Sequence, residues 1–181
     1  MSSHDKAKVN PIATFNVAKG YKQQIQKKLL IDYQKKVNKD IPKDLWHSMS
    51  DEELIWRASV VLVVIDPPFN WTPKVAFMFL ARGRLSLALL WEKFFDGHDG
   101  LFSIYLHTSP EFTNEPPESS VFYKRRIPSK LIQWGKETMI DAERRLLANA
   151  LLDFTNERVV LLSKTCIPVF NFTFIYNYLT T

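Results

Sequence analysis

Apolar residues run without a break from Val75 to Ala81 and stop at Arg82–Gly83. A run of that length, bounded by polar and permissive residues, predicts a strand at 74–80 buried on both faces. The same pattern predicts strands at 101–107 (LFSIYLH) and 158–163 (RVVLLS). Two helices fall between them. LSLALLWEKFFD predicts one over about 85–96, and WGKETMIDAERRLLANALLDF predicts a longer one. In the longer helix Ile140, Leu147, Leu151 and Phe154 mark one face, with Arg144, Arg145 and Asn149 mostly on the other. A loop with three prolines, 109–118, precedes a short strand SVFYKR at 120–125, and CIPVFNFTFIYNYL closes with a turn and a helix. Upstream, SVVLVVI at 59–65 reads as another strand, which DPPFNWTP ends because its prolines lack donors. Before it, Ser48 or Ser50 suits a helix cap ahead of Asp51, Glu52 and Glu53, with Trp46 and Trp56 as anchors. Ile25, Leu29, Tyr33 and Val37 recur every four residues on a lysine-rich helix at 20–39.

Alternating strands and helices imply right-handed crossovers and a parallel sheet with helices on its faces. Ligands of such sheets bind outside the carboxyl ends of the strands. Arg82–Gly83 and His107–Thr108–Ser109 both lie at such ends.

Charge divides the chain. The formal charge is +5, yet residues 1–45 alone carry ten lysines against four aspartates, a balance of +6. The remainder, with 14 basic and 15 acidic residues, is near neutral. The pattern divides the chain into a basic stem (1–45), a linker with a short helix and strand (46–73) and an α/β part (74–181). A nucleic-acid binder places positive charge on its folded face, so that class rests on the tail alone. With 46% hydrophobic residues a core is expected. Cys166 is the single cysteine, which excludes an intrachain disulfide. No apolar run approaches the roughly 20 residues of a membrane span, and no signal peptide opens the chain.

Few motifs carry chemistry. There is neither a G-x-G-x-x-G nor a P-loop, no D-x-D, and no histidine pair at metal-ligating spacing. Cys166 fits a small buried residue better than a nucleophile. His107, ending a buried strand, suits either a hydrogen bond to a nucleotide or sugar, or plain contact with solvent. Trp134–Gly135 precedes the long helix, where glycine permits close approach and the helix start favours an anion; a packed turn is the plainer account. Lys124, Arg125, Arg126 and Lys130 suit either phosphate or a solvated edge. Asn70 (NWT) and Asn171 (NFT) fit the N-glycosylation pattern, with Asn70 expected accessible and Asn171 buried among aromatic neighbours.

Taken together, LWHSMSDEELIWRAS, KVAFMFLARG, LALLWEKFFDGHDGLFSIYLHTSP, SSVFYKRRIPSK, WGKETMIDAERRLLANALLDFTNERVVLLS and CIPVFNFTFIYNYL resemble the plant branch of the core-2/I-branching β-1,6-N-acetylglucosaminyltransferase family over residues 45–181. The resemblance implies part of a GT-A-type, Rossmann-like αβα sandwich preceded by a basic, partly helical stem. It implies transfer of N-acetylglucosamine or a related sugar from a UDP-sugar to a glycan or glycoprotein, with inversion and without a metal cofactor. It further implies a type II membrane protein facing the Golgi lumen. The donor site maps to Leu80, Ala81, Arg82, His107, Trp134 and Gly135, with Ser163 and Cys166 near the sugar. Two departures stand out: Lys164 occupies a position where the family carries an acid, and VVLVVIDPPFNW replaces a proline- and charge-rich link. The catalytic base and the basic residues for the diphosphate are expected beyond Thr181, so the chain is expected to be inactive alone. A module that only binds nucleotide or a full-length partner is the rival expectation.

Overall fold

The computed structural model describes residues 45–61, 71–133 and 135–181. The 20–39 helix, Asn70 and Trp134 lie outside the described residues.

Ser50 opens helix α1 (Asp51–Val61) by accepting the Glu53 N–H at 3.2 Å. The helix continues through Ser59–Val61, which corrects the strand expected from residue 59; the rest of that segment lies outside the described residues. Leu54, Ala58 and Val61 all fall on the buried face of the helix. Their spacing of four and three residues commits the β-branched valines to the helix, because tertiary burial overrides local strand preference. Trp46 and Trp56 are each 64% exposed, so neither is the buried anchor expected.

Strand β1 (Lys74–Leu80) is followed by α2 (Ala88–Phe95), β2 (Phe102–His107), α3 (Thr138–Leu151), β3 (Asn156–Ser163) and α4 (Phe172–Thr180). All pairing is parallel, in the order β2-β1-β3, with Leu80 opposite both His107 and Ser163. This is the expected α/β architecture, a three-stranded parallel sheet flanked by helices, consistent with part of a Rossmann-like GT-A fold. The expected strand at 120–125 is instead a turn. Lys124 takes a left-handed φ of 54°, and only Arg126 bridges to Leu106.

Side chains of a strand alternate between faces, and here the two faces differ. Val75, Phe77 and Phe79 pack with Trp91, Phe94 and Phe95 of α2 and with Phe172 of α4. Ala76, Met78 and Leu80 pack with Tyr105 and with Ala142, Leu146 and Ala150 of α3. The α3 face assigned from apolar periodicity is corrected. Ile140 is 53% exposed, whereas Arg145 and Asn149 are buried. Small alanines let α3 sit close to the sheet, and its polar inner residues find partners on α1 and the segment before it.

The chain leaves β1 towards α2 on one face and β2 towards α3 on the other. Neighbouring strands whose connections diverge form a crevice at their carboxyl ends, the usual ligand position in open α/β sheets.

Candidate nucleotide site

The crevice lies between Leu80–Arg82 and His107–Ser109. Its floor is tightly knitted. Ala81 N–H donates to His107 O at 3.0 Å, and Ser109 N–H donates to Arg82 O at 3.0 Å. Beyond β2, Leu106 exchanges backbone bonds with Arg125 and Ile127, and Thr108 N–H donates to Ser129 Oγ at 3.3 Å. Gly83 serves packing, because a Cβ there would lie 3.3 Å from the Phe112 ring. Arg126 donates to Phe112 O and pairs with Glu115 at 3.4 Å. The loop after β2 is thereby tied down over the β1 end.

His107 is fully buried, and neither ring nitrogen has a hydrogen-bond partner among the described residues. Strand alternation puts it on the α3 face with Tyr105. Burial, and then the positive charge of Arg145, push its pKa down to about 4. At neutral pH the imidazole is therefore uncharged, with one nitrogen donating and one accepting. A buried polar group without a partner costs about 1–3 kcal/mol, so a site holding one is suited to a ligand that completes it.

Other expected residues are placed less uniformly. Leu80 shares the α3 face with His107, but Ala81 belongs to the opposite, aromatic cluster and its N–H is used within the sheet. Arg82 is exposed at the crevice rim. Gly135 takes a φ of 77° just before α3, where its N–H reaches Met139 Sδ at 3.0 Å, so its conformation requires a glycine-like freedom. Ser163 and Cys166 form a turn. The serine hydroxyl lies 3.3 Å from Cys166 Sγ and 3.0 Å from Thr165 Oγ1, and Cys166 O accepts from Trp91 Nε1 at 3.2 Å. Lys164 is exposed beside this turn. Asn171 is also exposed, not buried. It caps α4 by accepting the Phe174 N–H at 2.9 Å, which turns its own side chain outward while Phe172 turns in.

Pattern reasoning missed the polar support behind His107. Asp51 accepts from Arg145 Nε at 2.9 Å and from Arg145 Nη2 at 2.8 Å, and pairs with Lys130 at 2.7 Å. Its hydrogen bonds to Arg145 dominate in lowering its pKa to about 2. His47 Nε2 lies 3.0 Å from Asn149 Oδ1, and Asn149 Nδ2 donates back to Arg145 O. The only local signal was the acidic start of α1, which equally suits a helix dipole. Among the described residues no three His, Cys, Asp or Glu side chains are grouped to hold a metal, and no helix is long and apolar enough to cross a membrane.

A family model described as Core-2/I-Branching enzyme matches residues 75–181. The chain belongs to the core-2/I-branching enzyme family. The match runs from the second residue of β1 through β2 and β3 and takes in the crevice at their ends. Among curated relatives, Glycosyltransferase BC10 of Oryza sativa subsp. japonica is 44% identical over 117 residues. That alignment covers 62% of this chain and 29% of the rice protein, so the chain matches under a third of that relative's length. No solved structure matches.

Proposed function

We propose that residues 74–181 form the nucleotide-binding part of a glycosyltransferase that takes its sugar from a UDP-sugar. In this reading N-acetylglucosamine, or a related sugar, passes to a glycan or glycoprotein acceptor in the Golgi lumen. The observation that carries it is His107, a buried, neutral and unsatisfied imidazole at the point where the connections from β1 and β2 diverge. Family membership and the printed name of the rice relative support the glycosyltransferase class.

A neutral imidazole suits a uracil edge or a ribose hydroxyl, each of which offers donors and acceptors without charge. Arg82 at the rim stands where phosphate would leave the crevice. Transfer in this reading is a direct displacement without a metal. A carboxylate removes the proton of the acceptor hydroxyl, whose oxygen attacks the sugar C1 as the C1–O bond to the nucleoside diphosphate breaks. No residue of this chain is assigned as that base. Glu137 at the N-cap and Asp141 in the first turn of α3 complement its dipole, and Glu143 follows in the second turn.

Ligand-observed NMR on the full chain tests the site. Uridine and UDP should bind with a dissociation constant on the order of millimolar, about 4 kcal/mol, and ADP more weakly. His107→Ala should remove the uridine signal. Equal binding of uridine to parent and variant, or of ADP and UDP to the parent, would overturn the assignment.

A further inference from the structure

The buried polar groups of the α3 face converge on one residue that pattern reasoning assigned to a helix dipole. Asp51 grips Arg145 through both carboxylate oxygens, at 2.9 and 2.8 Å, and also holds Lys130 at 2.7 Å. Arg145 is a nearly buried residue of α3, and its charge acts on His107. Lys130 directly follows Ser129, whose hydroxyl receives the N–H of Thr108, the residue after His107. One carboxylate on α1 therefore reaches both segments that flank the end of β2.

We propose that Asp51 is a positioning residue for the nucleotide site: from α1 it fixes the Arg145 guanidinium on α3, the helix packed on Tyr105 of β2, and it holds Lys130 beside the Ser129 hydroxyl that bonds the residue after His107. The inference rests on the reading of His107 given above. A two-point guanidinium–carboxylate grip fixes orientation as well as distance. Without its partner a buried guanidinium carries a desolvation cost and turns towards water. His107 would then lose the cation that, with burial, keeps it neutral. Among the described residues, charged groups on the elements around it include Arg145 on α3, with Asp141, Glu143 and Arg144 on the same helix, Asp51 on α1, Lys130 after the 127–129 segment, and Arg125 and the Arg126–Glu115 pair at the bridge beyond β2. Of these, Arg145 is the one whose charge lowers the His107 pKa. A protonated imidazole has two donors and no acceptor, so release of Arg145 alters what the site offers a ligand.

The test follows the imidazole Cε1–Hε1 resonance of His107 across pH in the full chain, with uridine binding measured beside it. The parent midpoint should lie near 4. Arg145→Met should raise it. Asp51→Ala should raise it in the same direction and weaken uridine binding, and the double variant should match Arg145→Met alone. Arg144→Met, which removes an exposed guanidinium paired with Asp141, should leave the midpoint in place. A midpoint in Asp51→Ala that stays put or falls would mean that Arg145 keeps its place unaided, and the proposal fails. Should Asp51→Ala not fold, Asp51→Asn, which keeps the shape and removes the charge, decides: a raised midpoint with weaker uridine binding supports the proposal, and an unchanged midpoint overturns it. The two readings separate cleanly. Raised midpoints in Asp51→Ala and Arg145→Met, with a parent that binds no uridine, would remove the nucleotide reading and keep the coupling. An unchanged Asp51→Ala midpoint, with uridine lost only in His107→Ala, would do the reverse.

Discussion

The two faces of the sheet are built from different materials. The α2 side is a dry aromatic cluster. Phe77 alone sits 5.0 to 6.3 Å, centroid to centroid, from Phe95, Phe94, Trp91 and Phe172, edge to face with Phe94 and Phe95 and tilted against the other two. The α3 side packs small alanines against Met78 and Leu80 and then admits Tyr105, His107, Arg145, Asn149 and Asn156 into the interior. Apolar burial stabilises without direction, whereas buried polar groups need specific partners and are costly when unmatched. The comparison teaches that stability is concentrated on one face and chemical specificity on the other. The strand ends between them carry the candidate site.

The largest expected effect lies on the aromatic face. Phe77→Ala should cost about 3–5 kcal/mol in chemical denaturation, because it deletes a ring contacted on several sides. A loss under about 1 kcal/mol would show that the cluster adjusts and that the contrast between faces is overstated.

Next comes pH. His107 has its folded pKa lowered to about 4 from 6.5. Between those values the unfolded chain binds the proton and the folded chain does not, so stability must fall as pH drops from 6.5 to 4. The shift corresponds to about 3 kcal/mol. Asp51, lowered from 3.8 to about 2, continues the loss over that lower window, again because the unfolded carboxylate takes the proton first. Denaturation midpoints of the parent and of His107→Gln should diverge in pH dependence between 6.5 and 4. Parallel curves would show that His107 does not carry the effect.

A smaller effect is expected at Asn156. Its Nδ2 donates to Tyr105 Oη at 2.9 Å and to Ala150 O at 2.8 Å. Asn156→Ala removes both bonds, leaving Tyr105 Oη without that donor while Ala150 O keeps the Asp153 N–H at 3.3 Å, and should cost about 1–3 kcal/mol. Thermal unfolding checks this, and an unchanged midpoint would mean that water replaces the amide without cost.

The smallest effect separates two adjacent arginines. Arg144 pairs with Asp141 at 3.6 Å on the exposed side of α3, so Arg144→Ala should change stability by no more than about 0.5 kcal/mol. Arg145→Ala, which abandons the buried grip on Asp51, should cost distinctly more in the same denaturation assay. Equal effects would place the two on a common footing and erase the distinction between inner and outer face.

How much of this was legible depended on range. Val75–Ala81 and FSIYLH announce strands buried on both faces because their patterns are continuous and local, and Ala88–Phe95 follows from a dense apolar helix. The position of His107 at a strand end was readable for the same reason. The inward turn of Arg145 and Asn149 was not. Their partners, Asp51 and His47, lie 94 and 102 residues away, and no period within α3 reports a partner on another helix. Ser59–Val61 misled because valine prefers strands locally, while the burial of Leu54 and Ala58 against Ala148 of α3 decides for helix. SVFYKR misled in a similar way, since its β-branched and aromatic residues do not reveal the left-handed turn at Lys124.

The central claim is that the polar face, at the end of β2, receives a nucleotide. Its most direct test is a uridine titration of the full chain watched through histidine ring resonances. His98 stacks on Phe172 at 4.3 Å within the aromatic side, and His107 ends β2 on the polar side, so one spectrum reports both. The account predicts a saturable shift of the His107 Cε1–Hε1 signal with His98 unmoved. A stationary His107, or a shift confined to His98, would contradict it.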